Sequence, residues 1–363
     1  ETLQSIISRL NYAYNDKYLV SLSARWDGSS RFGANNRYGF FPAASLGWRI
    51  SNEDFLKGNE LISNLKARVS YGVTGNNSGI GRYDAIATLE PVSAVVNGSA
   101  VTGFNPANIA NLDLRWEKSI EFGPGIDLGL WDNRLTMSLD YYVRQSKDLL
   151  LDQEIPSVTG FSTAMVNIGK VKNSGIEVEI DGRIIANRAI KWTASANVSH
   201  NKNELVSFAG ASGLITYVDS KRPSEYIALE GHPISSFYGY VYEKDVPNQY
   251  LKNPLYPIGA KSQDCYVKDL NGDGQITTAD RTILGSPYPK WVWGITNQFN
   301  YKEFDLSFTF QGSSGAKVRN MDPQYFENQF HTNMDYVSTF PDADKVVQKI
   351  FTDKIVQDAS FIA

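Results

Sequence analysis

One set of chemistry-bearing residues in this sequence is sharply spaced. Asp269, Asn271, Asp273, Gly274, Gln275, Ile276 and Asp280 follow the pattern D-x-N-x-D-G-x-I-x-x-x-D, that of a twelve-residue calcium loop at 269–280. Calcium takes hard oxygens. Asp269, Asn271, Asp273 and Asp280 would supply them from side chains, and Gln275 from its backbone carbonyl. Gly274 permits the sharp turn and Ile276 can anchor the loop. Asp280 stands where Glu is usual, so its bidentate reach is shorter, the expected affinity is lower and magnesium could compete. The expected role of Ca2+ is structural: pinning part of the long segment 201–290 beside the strand that starts at Trp291. A polar Asn-Gly-Asp-Gly turn that binds nothing would use the same residues.

Other constellations fall short of chemistry. His200, His232 and His331 are far apart and lack H-E-x-x-H spacing. Gly169-Lys170 is no phosphate loop, because Ala164 occupies the place of the first glycine. Glu177 and Glu179, two residues apart on one face, could form a glycosidase pair but fit solvated charges better. Tyr238, Tyr240, Tyr242, Tyr288 and Trp291 could stack on sugars or equally pack within loops. Cys265 is the only cysteine, which excludes a disulfide scaffold and a Cys-rich metal site. No catalytic residues are assigned, and the chain reads as a non-enzyme.

The elements that must carry these residues are strands. Tyr18, Val20, Leu22, Ala24 and Trp26 alternate with Ser21, Ser23 and Arg25; Leu135, Met137, Leu139, Tyr141 and Val143 with Thr136, Ser138, Asp140 and Arg144. The segments from Trp192 and from Phe304 repeat this period of two. Further strands are expected at 8–14, 41–50, 65–74, 116–129, 166–183 and 291–301. With no convincing long amphipathic helix, the chain reads as all-β. Among 363 residues, 42% are hydrophobic and 45 are aromatic. The mean hydropathy is −0.31, and no run approaches the roughly 18 apolar residues of a membrane helix. A membrane β-barrel stays open, since its strands meet lipid only at every second residue. The 35 basic and 39 acidic residues are interspersed, leaving no electrostatic reason to expect nucleic acid.

Connections alternate between tight turns, at 14–18, 131–134, 186–189 and 301–303, with 51–64 a longer member, and excursions at 27–40, 75–115, 146–165, 201–290 and 312–358. An up-and-down antiparallel barrel with short periplasmic turns and long outer loops has that asymmetry. Tyr12, Tyr14, Tyr18, Trp131, Trp192 and Tyr301 fall beside the short turns, and Trp26, Trp48, Trp116, Trp291 and Trp293 nearer the loop ends or strand middles, as in aromatic girdles. Arg25, Lys66, Arg68, Asp140, Arg144, Glu177, Glu179 and Asp305 would point inward, where only a wet lumen accepts them. An open sheet in lipid would leave unpaired backbone at two edges. The chain is therefore expected to be a fragment, with closing strands and any N-terminal domain lying elsewhere.

The run "YLVSLSARWDGSSRFGANNRYGFFPAASLGWRISNEDF", 18–55, resembles the barrel of SusC/RagA family TonB-dependent outer-membrane transporters. So do "LKARVSYGVTGN" at 65–76, "LRWEKSIEFGPGIDLGLWDNRLTMSLDYY" at 114–142, "NIGKVKNSGIEVEI" at 167–180 and the run 269–315 that opens with the calcium-type motif. The resemblance implies a barrel of about 22 strands around an N-terminal plug, of which residues 1–363 would be the C-terminal portion. It further implies TonB-driven import of glycans, oligosaccharides or peptides through the outer membrane of a Gram-negative cell. A SusD-like surface lipoprotein would be the partner at the loop-side mouth. A calcium-stabilised soluble or surface-exposed β protein that binds carbohydrate or protein without transport is the alternative.

Overall fold

The structure, a computed structural model, describes residues 1–187, 189–208, 214–216, 226–247, 250, 264–320 and 345–363. His331 and parts of 201–290 and 312–358 lie outside the described residues. Contacts divide the chain into two units, Glu1–Gly210 with Gly294–Thr309 and Ala211–Trp293 with Phe310–Ala363.

Strands β1 (Leu3–Tyr14), β2 (Tyr18–Ser29), β3 (Tyr38–Arg49) and β4 (Ile62–Asn76) open the first unit. After a hairpin of β5 (Leu89–Val96) and β6 (Ser99–Pro106) come β7 (Glu117–Leu130) and β8 (Leu135–Lys147). A second hairpin, β9 (Leu150–Glu154) and β10 (Thr163–Asn167), precedes β11 (Lys170–Ala186) and β12 (Ile190–Ser207). Short strands follow at β13 (Leu214–Thr216), β14 (Tyr226–Ala228), β15 (Ser236–Gly239), β16 (Tyr242–Asp245), β17 (Asp264–Val267) and β18 (Thr282–Gly285). The chain then runs through β19 (Trp291–Tyr301), β20 (Phe304–Ser314), β21 (Lys317–Arg319), β22 (Val346–Gln348), β23 (Val356–Asp358) and β24 (Phe361–Ile362).

Eleven strands form one sheet in the order β1-β2-β3-β4-β7-β8-β11-β12-β19-β20-β24. Each strand pairs with the next sheet strand in sequence, the up-and-down arrangement that the alternating connections anticipate. The segment 166–183, read as one strand, is instead the end of β10 and most of β11. Left-handed backbone at Asn15, Asp16 and Lys302 closes two of the tight turns; Asn and Asp tolerate it best.

Register carries the alternation across the sheet. Tyr18, Trp48, Ala67, Ile126, Leu139, Val178 and Val198 form one cross-strand row, and their neighbours Gly47, Arg68, Gly125, Asp140, Glu177 and Ser199 form the next, on the opposite face. A slip of one residue would exchange the faces. Apolar residues are concentrated on the first face, yet they are not buried: Leu46 is 53% exposed, Ile176 47% and Leu306 60%. Such a belt of bare aliphatic side chains has no partner in water.

Aromatic placement differs from expectation at two positions. Trp48 pairs with Tyr18 and donates its Nε1 hydrogen to Glu53 at 3.0 Å, so it lies at the short-turn rim, where β3 ends. Trp116 is buried with Phe32, Phe41, Ile80, Ala85, Leu114 and Leu150 in a loop-side core, so it belongs to no girdle. Tight packing there uses Gly75, where a Cβ would lie 2.0 Å from the Phe41 ring.

Candidate functional site

The polar face of the first unit is the candidate site. Arg68 on β4 reaches across β7 to Asp140 on β8, with Nη1–Oδ1 at 2.6 Å and Nη2–Oδ2 at 2.7 Å. Gly125 on β7 makes that reach possible, because a Cβ there would stand 2.5 Å from Asp140 Oδ1 and 2.8 Å from Arg68 Cζ. Arg68 Nε also meets Asp127 at 3.2 Å, and Lys66 approaches the same carboxylate at 3.6 Å. Toward the loops, Arg144 Nη2 holds Glu121 at 2.6 Å. Glu177 and Glu179 lie exposed on this face, opposite Asp140 and Ser138 in register. Arg25 pairs with Asp27 at 2.6 Å and lies over the Phe41 ring, and Asn300 donates to Asp305. Ser21, Ser23, Ser45 and Ser70 continue the polar surface across β2, β3 and β4 as a shallow groove. Charges in opposed pairs beside hydroxyls make a surface that water or polar cargo wets at little cost.

Loop-side connections form a tied collar above that surface. Arg31 Nη1 donates to the carbonyls of Asn77 and Ile80 at 3.1 and 2.8 Å. Asn111 donates to Met165, while Asn167 accepts from the Arg115 amide and donates to the Arg115 and Asp148 carbonyls. Together with the Trp116 cluster, these bonds join three connections that are distant in sequence.

At the opposite rim, Glu53 accepts from Lys17 at 2.9 Å, Tyr18 at 2.8 Å and Trp48 at 3.0 Å. The Lys17 ammonium, then the Trp48 and Tyr18 donors, hold its carboxyl down at about 2. No sequence motif marked Glu53; only the cross-strand register brings its donors together.

In the second unit, all five expected ligand residues of the calcium-type motif stand in one loop between β17 and β18. Asp269 accepts from the amides of Gly272 and Gly274, Asn271 from Asp273, and Asp273 from Gln275, at 2.6–2.9 Å. Asp280 is fully buried in the capping box of a short 3-10 turn that starts after Thr277. It accepts from Thr277 at 2.8 Å and Leu270 at 2.9 Å, and the Thr277 amide, ahead of those of Leu270 and Asn271, holds its carboxyl below the usual range. Among the described residues, no three His, Cys, Asp or Glu side chains converge as a metal-holding group. A calcium ion here would therefore depend on Asn271, backbone carbonyls and water for its remaining oxygens.

Of the five aromatic residues considered for sugar stacking, Tyr238, Tyr240 and Tyr242 lie under cations of the chain itself, whereas Tyr288 and Trp291 are exposed. Arg281 lies over Tyr238 and Tyr240 at 4.7 and 5.7 Å, and Lys354 over Tyr242 at 4.5 Å. Cys265 is buried, which pushes its thiol up to about 12 and leaves it unreactive.

Residues 4–255 match the family model described as TonB dependent receptor-like, beta-barrel. The chain belongs to this family. TonB-dependent receptor barrels are outer-membrane proteins, and the eleven-stranded sheet is the up-and-down wall of such a barrel. Among curated relatives, TonB-dependent receptor P3 of Formosa agariphila is 38% identical over 326 residues, covering 88% of this chain and 32% of its own length. TonB-dependent receptor SusC of Bacteroides thetaiotaomicron is 34% identical over 323 residues, with 86% and 31% covered. The chain thus spans about a third of the length of these relatives. The RagAB peptide transporter structure superposes with a TM-score of 0.79 at 27% identity, over 99% of this chain and 40% of that one. These relatives are receptors and transporters, in keeping with the non-enzyme reading.

Proposed function

We propose that this TonB-dependent receptor wall belongs to a SusC-like importer in the outer membrane of a Gram-negative bacterium. It would pass oligosaccharides or peptides, with a SusD-like lipoprotein over the loop-side mouth and TonB supplying energy from the periplasm. One observation carries the reading: a single sheet bares aliphatic side chains on one face and paired charges on the other. Lipid satisfies the first face, and a wet bore the second. Similarity to SusC and to the RagAB peptide transporter supports the same reading. A soluble binding protein would leave Leu46, Ile176 and Leu306 in water, which costs about 25 cal/mol for each Å2 exposed. The test is uptake by cells carrying the full-length gene on labelled oligosaccharide and peptide pools, with and without TonB. Accumulation that depends on the gene and on TonB is expected; a product recovered soluble without detergent would refute the reading.

The same reading includes a structural calcium ion held by Asp269, Asn271, Asp273, the Gln275 carbonyl and Asp280. The ion would fasten the loop that joins β17 to β18. Calorimetric titration of calcium into full-length protein should give saturable heat that Asp273→Ala abolishes. Identical titrations of the two proteins would remove the site.

A further inference from the structure

The β5–β6 hairpin is bare, as is the edge strand β1, but unlike β1 it stands outside the eleven-stranded sheet. In each strand seven of eight residues are exposed, and Leu89, Val95 and Phe104 show 67%, 76% and 67% of their surface. Its only charged residue between 89 and 106 is Glu90. Within the described sheets the two strands pair only with each other, so both outer edges present free backbone N–H and C=O groups. An uncovered two-stranded hairpin is marginal in water, and a flat, uncharged edge invites pairing.

The hairpin is nonetheless built to one shape. Asn97 and Gly98, both left-handed, close its tip, as the Asn-Gly hairpin turn requires. At its base, Asn108 accepts from the Thr88 amide at 2.9 Å and the Thr88 hydroxyl at 2.6 Å, and donates to the Ile86 carbonyl at 3.0 Å. A preset arm of this kind loses little freedom when a partner covers it.

We propose that this hairpin is the docking arm for the lipid-anchored lid protein, an assignment that rests on the lid reading given above. It leaves the sheet between the loop-side ends of β4 and β7, the end a lid covers; a second copy in the same bilayer would meet this chain chiefly through its lipid-facing belt. Sixteen strand residues open on both faces offer contact on the order of the 800 Å2 that a standard interface takes from each partner. With Glu90 as its only charge, the arm suits an apolar groove or a free strand edge rather than a charged surface.

The test uses the full-length transporter in outer membranes. Val95→Cys places a thiol where the side chain is 76% exposed, whereas Cys265 is fully covered. Labelling with a maleimide polymer, scored against wild-type protein, should slow at least tenfold when the lipoprotein is co-expressed. Val95→Lys with Phe104→Lys should lower co-purified lipoprotein at least tenfold at unchanged barrel yield. Equal labelling with the lid bound overturns the docking arm while sparing the lid reading. Protection already present without the lid assigns the cover to the same chain or a second copy, and overturns it too. A wild-type barrel that retains no lipoprotein refutes the lid reading itself, and the arm with it.

Discussion

Replacing Trp116 by Ala tests whether the loop collar is one cooperative body. Trp116 is 5% exposed, packs against Phe32 at 5.1 Å and Phe41 at 5.5 Å between ring centroids, and donates Nε1 to the Arg37 carbonyl at 3.2 Å. Removing a buried Trp costs about 3–5 kcal/mol. The lost bond to the Arg37 carbonyl adds little, because that oxygen still accepts from the Ser29 amide at 3.0 Å. If the cluster holds the collar shut, opening becomes easier by that amount, about two to three and a half decades at 1.4 kcal/mol per tenfold. Hydrogen exchange by mass spectrometry on the full-length protein in detergent reads this directly. The informative amides lie in other connections: Leu150, bonded to Glu117, and Phe32, bonded to the Ser29 carbonyl. Both should exchange faster, while the β2–β3 ladder should not change. Acceleration confined to residues next to Trp116 would refute the claim that the three connections open together.

Further predictions follow from single contacts. Gly75→Ala forces a methyl against the Phe41 ring, and overpacking of that kind costs about 1–3 kcal/mol, read as faster exchange of collar amides. Glu53, held at about 2, contributes stability that is fully present above its ordinary value near 4.5 and lost as pH falls through 2. Protection factors of the 50–61 connection, corrected for intrinsic exchange, should therefore fall across that window in wild type, and fall less in Glu53→Gln, where Asp54 still titrates. Gly125→Ala pushes Arg68 off Asp140; because Arg68→Met removes the same bond, the double variant should be no less stable than Arg68→Met alone, measured by urea unfolding in vesicles.

Much of the wall could be read from sequence because its two faces demand opposite side chains at every second position. Tyr18 through Trp26 and Leu135 through Arg144 declare strand, length and facing at once, and the tight turns declare which rim they close. The calcium-type spacing was equally plain, since a pattern within twelve residues needs no tertiary information, though its ligand role is a proposal. What escaped was long-range. Trp116 looks like any girdle aromatic until Phe32 and Phe41, from another connection, close over it. Glu53 gains its meaning from Lys17 and Trp48, which only pairing brings near. The β5–β6 hairpin did carry a local signal, Asn97-Gly98 between Val95-Val96 and Ala100-Val101, hidden inside a segment read as an excursion.

The Arg68 cluster decides between the two environments that period-two sequences leave open. In a dry core, removing Arg68 would strand Asp127 and Asp140 as buried charges at a cost of about 3–5 kcal/mol. On a wetted wall, where Arg68 remains about a third exposed, the same change costs about 1 kcal/mol or less, since water takes over the carboxylates. The cross-strand rows support the wetted case: Gly47 and Gly125 flank Arg68 where a packed interior would place large apolar side chains. Urea unfolding of Arg68→Met in vesicles therefore measures more than one ion pair. A loss near 4 kcal/mol would mean that this face is packed against protein along Arg68. A loss near 1 kcal/mol leaves the paired charges in water, where a polar solute can slide past them without stripping them bare.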